Sequence, residues 1–297
     1  MLHIPVLLHE VIEGLDIKPT DVVLDGTINR GGHSKALCAK LGSEGILIGM
    51  DRDEAALAEA EKNLATCKAK TIFINDNFKN FDLVLAKNNL SHVDKIILDI
   101  GLSSNQLEQG GRGFSFQHDE QLLMTFKTKP GEGDVTAWNV VNEWGEESLT
   151  TIIEGFGEER FAKRIAKGII TRREEKPIAT SKELAEVIKK SVPRWYVHRK
   201  VHPATKTFQA IRIAVNEELT SLEEVLPKSM QYLSSGGRIG IISFHSLEDR
   251  IVKKFFKYEA GNGMCKIITK KPLAPSMEEI LANPRARSAK LRIAEKI

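Results

Sequence analysis

The chain has 297 residues, 41% of them hydrophobic and 28% charged, the balance of a soluble globular protein with room for one large domain or two modest ones. No apolar run approaches the roughly 20 residues that span a bilayer, which excludes a membrane-spanning helix. The net charge of +3 is unevenly spread: residues 157–215 hold 15 Lys/Arg against 6 Asp/Glu, residues 266–297 hold 8 against 3, and the remainder carries −11. Such asymmetry fits a face that meets a polyanion, although Lys and Arg also solvate ordinary helix surfaces.

In chain order, the first hundred residues alternate strand and helix. Residues 22–26 form a short apolar run ending at Asp25 and Gly26, followed by a Gly-rich turn and a helix over 33–41. Residues 46–51 read as a second strand and 54–64 as a helix rich in Ala, Leu, Glu and Lys. Further strands are expected at 71–74 and 95–100. Continuous Ile/Val/Leu runs separated by amphipathic helices predict a parallel sheet covered on both faces.

Between residues 108 and 203 no buried strand is evident. Leu149, Ile152, Ile153 and Phe156 share one helical face, and so do Phe161, Ile165 and Ile169, with Arg160, Lys163, Arg164 and Lys167 forming a basic side. Thr180 with Glu183 is a capping box. After Thr207 two helices (208–219, 222–233) lead to a strand at 238–244, and residues 265–269 and 290–295 read as a closing strand pair. The expected organisation is an α/β domain over 1–107 and 204–297, interrupted by a helical insertion over 108–203. Cys38, Cys67 and Cys265 are widely scattered and form neither a metal-ligand set nor a disulfide framework, which fits a cytoplasmic protein without a bound metal.

The turn Asp25-Gly26-Thr27-Ile28-Asn29-Arg30-Gly31-Gly32-His33 sits where the first strand hands over to a helix, so glycines allow close ligand approach and the helix N-terminus offers free N–H groups. It has no lysine for a triphosphate. Asp51, ending the second strand, can accept hydrogen bonds from ribose hydroxyls, as NAD or S-adenosylmethionine would require. Asp25 would repel a pyrophosphate but suits the cationic end of a sulfonium cofactor, which favours S-adenosylmethionine. Asp99 and Phe78 follow later strands, at the strand ends where open α/β sheets bind ligands. Phe78 reads as a contact for adenine or as core.

Four sets of residues then resemble a known family: His3-Ile4-Pro5-Val6-Leu7-Leu8, Arg30-Gly31-Gly32-His33-Ser34, the run from Leu98-Asp99-Ile100-Gly101 to Asn105-Gln106, and Arg112-Gly113-Phe114-Ser115-Phe116. So do the run from His202-Pro203-Ala204-Thr205 to Ala210-Ile211-Arg212-Ile213, Phe244-His245-Ser246-Leu247-Glu248-Asp249-Arg250, and the run from Asn283-Pro284-Arg285 to Lys290-Leu291-Arg292. Together they resemble, end to end, the small-subunit ribosomal RNA methyltransferase H family. The resemblance implies a class I (Rossmann-like) S-adenosylmethionine-dependent methyltransferase with an inserted helical domain. It implies methylation of N4 of a cytidine in the decoding region of small-subunit rRNA, with the rRNA or the small ribosomal subunit as partner. By the same carry-over Gly31, Gly32, His33, Asp51, Phe78, Asp99 and Gln106 line the cofactor site, His33 and Gln106 resting on the resemblance alone.

The chain departs from the family at Asn29, where a glycine is usual, and over residues 121–127, where two acids and an arginine are replaced by Leu123, Lys127 and Thr125. Residues 110–113 read as a hinge feeding an aromatic lid at Phe114 and Phe116. Asp99, or backbone carbonyls of residues 101–104, are candidates to draw off the N4 protons. His245 is a candidate base, with a structural role in the following turn as its rival. Lys163, Arg164, Lys167, Arg199, Lys200 and Lys206 are candidate phosphate contacts, and Trp195 with Tyr196 either stack on a base or pack in the core. Rival functions are a non-catalytic rRNA-binding assembly protein and an NAD-dependent oxidoreductase. A homodimer is one assembly open to the chain.

Overall fold

A computed structural model describes residues 5–102 and 111–297. The chain divides into two compact units, one formed by Met1–Gly101 with Leu219–Ile297 and the other by Leu102–Glu218. The first holds a seven-stranded sheet: β1 (Val22–Asp25), β2 (Ile46–Asp51), β3 (Lys70–Asn75), β4 (Val93–Asp99), β5 (Leu233–Ser243), β6 (Cys265–Ile267) and β7 (Lys290–Lys296). Their order is β3-β2-β1-β4-β5-β7-β6. β1 to β5 run parallel, and β7 pairs antiparallel with both β5 and β6. The sheet is therefore mixed, and the α/β, Rossmann-like class stands.

Adjacent strand residues feed opposite cores. Leu24, Ile48, Leu98 and Ile241 face one apolar cluster, while their neighbours Val23, Leu47, Ile97 and Ile242 face the other. A period-2 backbone buried on both sides has no polar face to alternate with, which is why these strands read as unbroken apolar runs.

In the second unit the helices Glu146–Gly155, Ala162–Glu175, Ser181–Ser191 and Thr205–Asn216 share one core that includes Ile153, Ile165, Ile169, Leu184, Ile188 and Ile211. The predicted capping box closes as expected: Thr180 accepts from the Glu183 amide at 3.3 Å and Glu183 accepts from the Thr180 amide at 3.2 Å. The Thr205–Asn216 helix corrects the expected return at residue 204, because Phe208, Ile211 and Val215 pack into the helical unit. Periodicity marked that helix as amphipathic but not which core would take its apolar face.

The cysteine expectation also fails. Cys38 and Cys67 are disulfide-bonded, with Cα atoms 5.4 Å apart. They follow two successive strand–helix steps, and that three-dimensional return has no trace in a separation of 29 residues.

Candidate functional site

The C-terminal ends of β1, β2 and β4, three neighbouring strands, carry Asp25, Asp51 and Asp99. Asp25 is 2% exposed and accepts from Ser34 Oγ at 2.6 Å and the Thr27 amide at 3.2 Å. Burial pushes its pKa up to about 6, against the Ser34 hydrogen bond that lowers it. Thr27 in turn accepts from the Asp99 amide at 2.6 Å, locking the β1 turn to the end of β4.

His33 lies in the first turn of the Gly32–Cys38 helix and is buried. Its Nε2 is 2.8 Å from the Val6 carbonyl, and since a carbonyl only accepts, Nε2 carries the proton. Burial lowers the imidazole pKa and favours the neutral ring. Nδ1 then presents its lone pair to Asp99 Oδ2 across 3.7 Å. Two acceptors facing each other at that separation repel unless one of them gains a proton. His33 is thus anchored to the Val6 carbonyl with its other ring nitrogen facing Asp99.

Asp51 accepts from the Asn29 amide and the Asp53 amide, both at 2.8 Å, yet burial still raises its pKa to about 6. Asn29 has φ of 50°, in the left-handed region where Asn is among the better tolerated residues after Gly. Asn29 thus takes a backbone conformation that glycine, the usual residue of the family, also adopts readily. Asn29 Oδ1 is buried with no hydrogen-bond partner among the described residues. An acceptor left over beside partly desolvated carboxylates fits a ligand that is cationic and rich in donors.

Gly31, at φ of 81°, is the residue before the Gly32–Cys38 helix, where the backbone must be left-handed. A Cβ on Gly26 would come within 2.9 Å of Phe78 Cβ. Phe78 is half-buried, packed against the core. Gln106, and Ser103 and Ser104 among the carbonyl candidates, lie outside the described residues.

His245 resolves toward its structural role: it caps the Ser246–Gly261 helix in a capping box with Glu248, whose Oε2 accepts from the Phe244 and His245 amides at 2.8 and 3.1 Å. The two rings expected to form a lid are packed within the helical unit. Phe114 is 6% exposed and stacked on Phe126, and Phe116 stacks on His202 at 4.4 Å. A Cβ on Gly113 would lie 2.3 Å from the Gln121 carbonyl, so Gly113 sits at a packed crossing, whereas Gly111 has open space around it and residue 110 lies outside the described residues. Asn216 closes residues 121–127 onto the same unit by donating to the Met124 carbonyl at 2.6 Å and accepting from the Phe126 amide at 2.8 Å. Thr125, which stands where the family has an arginine, is buried there.

In the helical unit Lys163, Arg164, Lys167, Arg199 and Lys200 are exposed. Lys206 is half-buried, with Nζ donating to the Glu158 carbonyl at 2.6 Å. Arg164 and Lys167 also line a cleft between the Ala162–Glu175 and Ser181–Ser191 helices, with Arg172, Lys182 and Lys190. Helical spacing pointed to Lys163, Arg164 and Lys167 but gave no sign of Arg172, Lys182 and Lys190, nor of Ser34 and Thr27, whose hydroxyls hold the acidic cluster together. A hydroxyl in a Gly-rich turn carries no signal of its partner.

Comparison with known proteins gives a consistent result. The model of the MraW methylase family matches residues 1–297. A ribosomal RNA small subunit methyltransferase H of Heliobacterium modesticaldum is 46% identical, covering 99% of this chain and 98% of that protein. One of the same description from Clostridioides difficile is 44% identical and covers 99% of each.

Proposed function

The chain belongs to the MraW methylase family, and from that premise we propose that it is an S-adenosylmethionine-dependent methyltransferase acting on N4 of a cytidine in the decoding region of small-subunit rRNA. The observation that carries the reading is the set of three carboxylates at adjacent strand ends, two of them with raised pKa because they are buried. Such a set favours a cationic ligand and disfavours the pyrophosphate of a dinucleotide. S-adenosylmethionine, when bound, supplies an electrophilic methyl group on a sulfonium.

Asp51 and the turn through Asn29, Gly31 and Gly32 would hold the cofactor, with Phe78 beside them. Asp25 supplies negative charge toward its cationic end and is itself fixed by Ser34 and Thr27. The cytidine N4 lone pair is delocalised into its ring, so placement must do much of the work. As N4 gains its methyl group it must lose a proton, and Asp99 accepts it. The His33 ring lies beside that carboxylate, with Nδ1 3.7 Å from Asp99 Oδ2. Cations of the helical unit bind RNA phosphates without reading sequence. No helix among the described residues is long and apolar enough to cross a membrane. We read the site of action as the cytoplasm, where small subunits are assembled.

The test is nucleoside mass spectrometry of small-subunit rRNA from a strain lacking this gene, with and without the gene restored. Loss and return of an N4-methylated cytidine is expected. An unchanged nucleoside profile would leave the reading without a substrate.

A further inference from the structure

The adjacent aromatics Trp195 and Tyr196 part company in the structure. Tyr196 is 4% exposed and donates its hydroxyl to Glu159 Oε2 at 2.6 Å, burial and that carboxylate pushing its pKa up to about 12. Trp195 is 54% exposed. A large indole left this far in water gives up most of the burial that ordinarily stabilises a tryptophan.

The exposed ring is nevertheless rigidly mounted. It meets Tyr196 edge-on at 5.7 Å and Phe161 at 6.0 Å. Glu159, 1% exposed, pins both supports, since its Oε1 accepts from the Phe161 amide at 2.9 Å while Oε2 holds Tyr196. The guanidinium of Arg160 lies over the Trp195 ring at 5.0 Å and over the Phe161 ring at 4.8 Å. Arg164 lies over Phe161 at 5.9 Å and Arg199 over Tyr196 at 5.2 Å. An exposed, fixed indole with one guanidinium over it, and two more arginines on the rings that mount it, has the chemistry that single-stranded nucleic acid uses: a π-face for a base and cations for the flanking phosphates. The segment that carries these rings, residues 157–215, holds 15 Lys/Arg against 6 Asp/Glu, a charge excess that favours a polyanion as the occupant.

We propose that Trp195, with Arg160, is a stacking platform for an unpaired base of the RNA substrate, so that the helical unit selects single-stranded over duplex RNA. This rests on the rRNA reading above and adds to it a determinant of RNA form that phosphate contacts alone cannot provide.

The experiment compares the full chain with Trp195→Ala and Trp195→Phe, using a short oligocytidine and an RNA duplex of equal length, titrated at several salt concentrations. Stacking on an aromatic side chain is worth about 1–3 kcal/mol per base. Trp195→Ala should therefore weaken oligocytidine binding by roughly 5- to 150-fold, leave duplex binding and both salt slopes unchanged, and be largely rescued by Trp195→Phe. The indole is mostly in water, so folding should survive. Equal binding of oligocytidine by Trp195→Ala and the parent overturns the platform, whatever the methyl-transfer result. A parent that shows the Trp195 effect but methylates no small-subunit RNA overturns the proposed function and leaves the platform standing.

Discussion

In the sheet unit the charges that matter are taken out of water: Asp25 is 2% exposed, His33 6%, and each is held by a named donor or acceptor. In the helical unit Lys163, Arg164 and Lys167 stand in solvent on one face of a helix whose other face carries Ile165 and Ile169. The first arrangement makes charge dependent on pH and on geometry, because burial shifts pKa values and fixes orientation. The second makes it dependent on salt, because exposed cations act through a screened field. On the proposed function, burial alone would separate chemistry from adhesion in one chain.

The largest expected effect breaks the buried side of this contrast. Asp99→Asn removes the proton acceptor while keeping its shape, and methyl transfer should fall by roughly 10²–10⁴-fold with RNA affinity retained, the range for loss of a general base. Transfer at the parental rate, measured with labelled cofactor and small subunits, would move the acceptor role to a backbone carbonyl.

Next, Asp51→Ala should weaken S-adenosylmethionine binding by about 1.5–3 kcal/mol in a calorimetric titration. The pH dependence sharpens the point. The carboxyls of Asp25 and Asp51, raised to about 6, take up protons as pH falls through that value, so affinity for a cationic ligand should fall there too. Stability runs the other way. A raised native pKa contributes stability below the unfolded value of 3.8 that is lost as pH rises through about 6, so the ligand-free protein should unfold more easily at pH 7 than at pH 5 on account of these groups. Ligand affinity flat across this range would show that neither carboxylate contacts the ligand.

The smallest effect concerns the solvated side. Replacing Lys163, Arg164 and Lys167 together by Ala should flatten the salt dependence of RNA binding by up to about 0.7–0.9 per lost phosphate contact, with cofactor affinity unchanged. A slope equal to the parent's would assign these cations to helix solvation.

Much of this contrast could be read before any coordinates. β2 was legible to the residue because its apolar run stops at a single acid, Asp51. The Thr180 cap was legible because both halves of the box are local. What failed depended on distance in the chain. The Phe114 and Phe116 rings look like a lid when only their glycine neighbours are visible, and become core once Phe126, His202 and Phe208 arrive from elsewhere. The helices Leu8–Leu15 and Phe81–Lys87 were too short to show a period. Trp195 and Tyr196 are adjacent in sequence, and only the buried partner Glu159 decides which of them turns inward.

The strand order has a consequence for synthesis. β4 and β5 are neighbours in the sheet, yet the whole Leu102–Glu218 unit is translated between them. Once Asp99 has left the ribosome, the nascent β3-β2-β1-β4 half-sheet must wait on the order of ten seconds for β5 to emerge. Throughout that wait the β4 edge, with Ile96, Ile97 and Leu98 along it, has no native strand beside it and is a template for pairing with another nascent chain. The helical unit, built from contacts between successive helices, can fold in the meantime. Slow translation just before β5 should therefore favour aggregation, and crowded polysomes are where this protein is most exposed to it.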